Sequence, residues 1–162
     1  MGYGRFWPKS CRARALVGYS GAVFAIAHMQ IQDKPPFDTP FEWIGGEARV
    51  YALVERFYDL MDLEPGYAAL RAVHGSDLSN ARQRLFWFLC GWLGGPQHYT
   101  ERFGHPMLRA RHLPFPIGIL ERDQWLACMD QAMGETGVPD DLRLRLRQSF
   151  FQTGDWMRNK GV

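Results

Sequence analysis

The sequence predicts an all-helical domain, residues 45–160, behind an irregular N-terminal extension, residues 1–44. Three observations carry this expectation. Apolar residues recur at three- and four-residue steps through several stretches, as one face of an α-helix requires. Glycine and proline clusters separate those stretches. The one segment that also reads as a strand, Leu142, Leu144 and Leu146 alternating with arginines, has no partner strand elsewhere, and Leu142, Leu146, Phe150 and Phe151 fit a helix face equally well.

The elements follow in chain order. Residues 1–44 lack a sustained period and contain Pro35, Pro36 and Pro40, which remove backbone donors and disfavour helix just before them. After Gly45-Gly46, the stretch from Glu47 to Leu63 places Val50, Leu53, Val54, Phe57, Leu60 and Met61 on one stripe, with Tyr58 near its edge. Pro65-Gly66 interrupts it, and a short helical turn through Tyr67, Leu70 and Val73 leads to His74. Asp77 or Ser79 can cap a further helix to about Leu93, with Leu78, Ala81, Leu85, Phe88, Leu89 and Trp92 as its stripe and Gly94-Gly95-Pro96 as its stop. From Gln97 to Ile119, five glycines and prolines allow only short helical pieces. The period returns over Leu120–Met133, and a last helix starts at Pro139, with Asp140 and Asp141 at its positive end.

Composition narrows the function classes. A chain of 162 residues with 46% hydrophobic and 14% aromatic residues can build one core and wall a bulky apolar ligand. Its net charge of +2, with no long basic run, argues against nucleic acid as a partner. No stretch is apolar enough to predict a membrane span. Arg12 and Arg14 before Ala15–Ala27 imitate a secretory signal, but Gly18, Ser20 and Gly21 break the apolar run. Cys11, Cys90 and Cys128 form no CxxC or CxxCH motif, so free thiols and a cytoplasmic location are expected. Among five histidines there is no HExxH or other close zinc pair, and no GxSxG, P-loop or GxGxxG occurs.

The informative stretch is Gly104 to Phe115. Pro106 can open a helical turn and Pro114 biases Leu113 away from helix, so His112 falls at the end of a very short helix with a restricted ring. Such a histidine can ligate a haem iron, which needs one neutral imidazole from a fixed direction, or can be an ordinary loop or core histidine. Arg109 and Arg111 can be solvated loop charges or can hold carboxylates at a site edge.

Gly45-Gly46, Arg56-Phe57-Tyr58, Gly94-Gly95-Pro96, Gly104-His105-Pro106, Arg109-Ala110-Arg111-His112, Pro114-Phe115 and Glu121-Arg122-Asp123-Gln124-Trp125 follow one another in an order and spacing that resembles group II truncated haemoglobins. The resemblance covers roughly residues 43–158 and leaves the N-terminal arm unexplained. It implies a truncated globin-like two-over-two helical sandwich enclosing a non-covalent haem b, with His112 as the iron ligand. It also implies that Tyr58 is the distal tyrosine and Trp125 the distal tryptophan, both donors toward bound oxygen. His74 stands where the family more often has Tyr or Phe, and Ala81 stands where many globins place a distal histidine. Phe57, Leu85, Phe88 and Met129 resemble pocket walls, and Tyr99 and Arg111 resemble partners of the haem carboxylates.

The function so implied is binding or transport of a diatomic gas, dioxygen first and also NO or CO. Nitric oxide dioxygenase or peroxidase turnover would require an external electron donor, because no reductase domain is fused. Two other readings are a six-coordinate electron-transfer or sensor module with His74 on the iron, and a helical interaction domain that no longer binds haem. Oligomeric state is not legible in these residues.

Overall fold

A computed structural model describes residues 37–161. Expectations for the arm before Phe37, including Cys11 and the signal-like run, lie outside the described residues. Within the stretch read as an irregular arm, the structure forms a helix, α1 (Pro40–Ile44). The same proline that argued against helix starts one: Thr39 accepts the Glu42 amide on its hydroxyl at 3.1 Å, and Pro40 sits in the first turn, where a missing N–H costs nothing.

Helix α2 (Glu47–Leu63) buries Val50, Leu53, Val54, Phe57, Tyr58, Leu60 and Met61, the apolar stripe expected from its period. A 3-10 turn (Pro65–Tyr67) and α3 (Ala68–Ala72) follow, and α4 runs Ser79–Trp92. Neither expected cap occupies the N-cap of α4, which is Leu78; Asp77, one residue earlier, instead accepts the Ser79 amide at 2.9 Å. Helix α4 ends at the Gly-Gly-Pro motif. Gly94 adopts a left-handed φ of 95°, and the Gly95 amide returns to the Cys90 carbonyl at 2.9 Å. A Cβ on Gly95 would lie 2.5 Å from the Phe41 ring, so the second glycine is the seat on which α1 packs.

The breaker-rich segment holds two short helices, α5 (His98–Phe103) and α6 (Leu108–His112). Two long ones complete the chain, α7 (Ile119–Glu135) and α8 (Asp140–Met157). The Gly118 amide donates to Glu121 Oε2 at 2.8 Å, which starts α7, and the leucine-arginine run is helical.

Helices α2 and α4 pack as one pair and α7 and α8 as the other, with α2 crossing against α7: the two-over-two sandwich. Its core joins Phe57, Leu60 and Met61 of α2 to Leu89 and Cys90 of α4, Cys128, Met129 and Met133 of α7, and Leu142 and Leu146 of α8. Charged pairs bridge each pair of helices. Arg82 of α4 reaches Glu55 and Asp59 of α2, and Arg143 of α8 grips both Asp130 oxygens of α7 at 2.8 Å. Among the described residues, no helix is long and apolar enough to cross a membrane.

Candidate haem site

The segment expected on the proximal side is built on little backbone. Met107, the residue before α6, adopts a left-handed φ of 45°, and its amide donates to His105 Nδ1 at 3.0 Å, so the chain turns sharply before α6 begins. Five residues later, His112 Nδ1 lies 2.7 Å from the Leu108 carbonyl. A carbonyl only accepts, so Nδ1 carries the proton and Nε2 is left with an outward lone pair, the form a metal takes.

The turn after His112 is fastened from 47 residues away. Asn159 donates through Nδ2 to the carbonyls of His112 at 3.0 Å and Phe115 at 2.8 Å, and its Oδ1 accepts the Ile117 amide at 3.1 Å. Arg109 is spent in the same way. It donates to the Trp156 carbonyl and lies over the Trp156 ring, so it anchors α6 to the end of α8. Arg111 instead lies exposed, its guanidinium 6.0 Å from the centre of the Tyr99 ring. The two residues expected to meet haem carboxylates are therefore neighbours.

Of the residues expected on the distal side, Tyr58 comes from α2 and Trp125 from α7, whereas His74 lies in the turn after α3. Tyr58 is 5% exposed and meets Phe57 edge-on at 5.0 Å and His74 edge-on at 6.0 Å. Burial pushes its phenol far above the usual range, opposed in part by Arg82, so the hydroxyl stays protonated near neutral pH. Trp125 packs between Phe57 and Phe150, with ring centres 5.4 and 5.3 Å away. His74 is half-buried, and its Nδ1 donates to the Leu70 carbonyl at 2.9 Å. Leu70 is itself fixed, because its amide donates to Gln124 Oε1 at 2.8 Å, beside Trp125.

Burial holds the His74 pKa below 6.5 against the opposing hydrogen bond to Leu70, and the charges of Arg71 and His112 push the same way. His74 thus stands in the electrostatic range of His112, neutral at physiological pH, with its own Nε2 lone pair free of the backbone bond. Phe57 and Met129 are fully buried at 0% exposure, whereas Ala81, Leu85 and Phe88 are half-buried on α4. Leu113 and Phe115, beside His112, are exposed apolar side chains. One oriented imidazole, apolar neighbours, and Tyr99 with Arg111 at an edge form a donor set that fits a haem.

The model of the bacterial-like globin family matches residues 39–159. The chain belongs to the bacterial-like globins, in their group II truncated haemoglobin branch. It is 44% identical over 107 residues to the group 2 truncated haemoglobin YjbI of Bacillus subtilis, a match spanning 66% of this chain and 78% of the relative. The group II 2-on-2 haemoglobin of Agrobacterium tumefaciens superposes with a TM-score of 0.75 at 44% identity, over 78% of this chain and 98% of that one. The truncated oxygen-avid haemoglobin from Bacillus subtilis superposes with a TM-score of 0.69 at 41% identity, over 75% of this chain and all of the other. Membership in this haemoglobin family implies a haem cofactor and haem-based oxygen binding.

Sequence reasoning missed Asn159 and the structural role of Arg109. A lone asparagine in a C-terminal tail has no period or spacing to mark it. The arginine's partner is a backbone carbonyl, which no side-chain pattern discloses.

Proposed function

We propose that this globin binds dioxygen, and also NO or CO, on a non-covalent haem b held by His112, in the cytoplasm and with an external electron donor for any redox turnover. The observation that carries the reading is the 2.7 Å bond from His112 Nδ1 to the Leu108 carbonyl, which fixes tautomer and ring direction together. Haem supplies reversible coordination of a diatomic gas and one-electron chemistry. The chain supplies the surroundings. Tyr58 and Trp125 are hydrogen-bond donors set in apolar packing, where a donor facing partial negative charge is worth more than in water. Ala81 offers no donor and little bulk, leaving a route for small ligands. Phe57, Leu85, Phe88 and Met129 exclude water, and Tyr99 and Arg111 take the carboxylates.

His74 sharpens this assignment. With its proton committed to Leu70, neutral His74 cannot donate from Nε2 and offers only a lone pair there. Among the distal side chains, donation at neutral pH therefore falls to Tyr58 and Trp125. The same lone pair favours a second reading, a six-coordinate state with His74 opposite His112.

Absorption spectra of the ferric, ferrous and oxygenated protein test both. A histidine-ligated Soret spectrum with a five-coordinate ferrous form and a stable oxygenated form is expected. A low-spin six-coordinate ferrous spectrum would move the protein to the electron-transfer or sensor reading. No Soret band, even after hemin is added, would overturn haem binding and leave a helical interaction domain.

A further inference from the structure

Three side chains with unlike donor atoms that the haem site does not use converge where α2, α4 and α5 meet. Glu47 opens α2, Cys90 lies near the end of α4, and His98 opens α5. Their carboxylate oxygen, sulfur and ring nitrogen all lie within 4.8 Å of one another, and His98 Nε2 is 2.9 Å from Glu47 Oε1. Cys90 is fully buried, while the Glu47 and His98 side chains are 51% and 23% exposed. We propose that Glu47, Cys90 and His98 form a zinc site, with three protein ligands and a fourth position for water.

The donor chemistry selects the metal. Thiolate with imidazole suits zinc, whereas magnesium and calcium prefer an all-oxygen shell. Three protein ligands of mixed type with one open position are an ordinary zinc arrangement, and ligand spacings under 5 Å require only small side-chain rotations to close on one ion.

The resting charges are also those a cation would relieve. Cys90 is buried beside the Glu47 carboxylate, and both the burial and that charge disfavour a thiolate until a cation joins them. A divalent ion reverses both effects. On binding, the Cys90 S–H bond ionises and that proton leaves to solvent as the Zn–S bond forms. Within the His98 ring one proton moves from Nε2, where it now faces Glu47, to Nδ1, which frees Nε2 for the metal. The net exchange is one zinc ion in and one proton out, with no oxidant or reductant. Because Tyr99 directly follows His98, the ion would also pin the helix that carries a haem-edge residue.

The test uses the full chain loaded with haem, dialysed against micromolar zinc chloride, with zinc and iron measured together. One zinc per iron is expected, with one sulfur at about 2.3 Å in the zinc absorption-edge spectrum. About one proton per zinc should be released, read by calorimetry in buffers of different ionisation enthalpy. Cys90→Ser and His98→Ala should each weaken zinc binding about tenfold or more, whereas Cys128→Ser, a buried thiol bonded to the Phe57 carbonyl, should not. Should Cys90→Ser fail to fold, Glu47→Gln on the surface gives the same reading with the core intact. No retained zinc, no sulfur in its shell, or equal binding by wild type and all three ligand variants would overturn the site.

Discussion

The two faces of the proposed haem site are built by opposite means. On the distal side, Tyr58 and Trp125 belong to 17-residue helices, Tyr58 inside the common core and Trp125 packed against it. On the proximal side, α6 is five residues long with no buried residue, and His112 is positioned by hydrogen bonds, to Leu108 within the turn and through Asn159 from beyond α8. A helix that short has no stability of its own, so the proposed iron ligand depends on bonds from distant sequence. Distal positions should tolerate change as a core does, by degrees. Proximal positions should fail at single atoms.

The largest expected effect breaks the proximal side outright. His112→Ala should abolish stable haem binding, with the Soret band absent after gel filtration and restored by added imidazole. Retention of a normal histidine-ligated spectrum would remove His112 as the ligand.

Next comes the distal donor. Trp125→Phe keeps an aromatic ring against Phe57 and Phe150 and deletes the indole N–H together with the second ring. Losing a half-buried donor to a partly charged ligand costs about 1.5–3 kcal/mol, so oxygen dissociation should accelerate about tenfold to a hundredfold in stopped flow. An unchanged rate would leave Tyr58 as the neutral-pH donor.

How far the sequence discloses each side follows the same division. The core-built helices α2, α4, α7 and α8 were legible because burial imprints a period on apolar residues. Helix α1 was not, because the proline that reads as a breaker serves as a first-turn residue once Thr39 caps it. His112 was legible only as a restrained histidine, and family resemblance was needed to bring haem to it. Its Asn159 clamp was invisible, since a hydrogen bond across 47 residues leaves no local pattern. The cluster of Glu47, Cys90 and His98 was hidden for the same reason: zinc motifs are sought as close pairs, and these three residues meet only in the fold.

A smaller effect probes the clamp. Asn159→Ala removes three hydrogen bonds and leaves the carbonyls of His112 and Phe115 without that donor. Part of the loss is recovered from water because the segment is only partly buried, so a destabilisation of about 2 kcal/mol is expected in denaturant melts. Haem should also transfer faster to an acceptor apoprotein. If stability falls with haem transfer unchanged, Asn159 holds the C-terminus and not the ligand.

The smallest effect is the most informative about the distal face. His74 is depressed below its unfolded value of 6.5, first by burial and then by Arg71 and His112, against the bond to Leu70. Folding therefore favours the neutral ring. Its contribution to stability is complete above the unfolded pKa, and it is lost as pH falls through the lower folded one. Over that same fall the ring gains a proton at Nε2, turning a lone pair into a donor beside Tyr58. Wild-type protein should thus lose stability below about pH 6.5 while its oxygen dissociation slows, two trends of opposite benefit from one proton. His74→Phe should remove both, leaving the acid response of the remaining groups. If the variant keeps the slowing, the proton sits elsewhere. If it loses the slowing but keeps the full stability change, His74 faces the ligand while other groups set the acid limit of the fold.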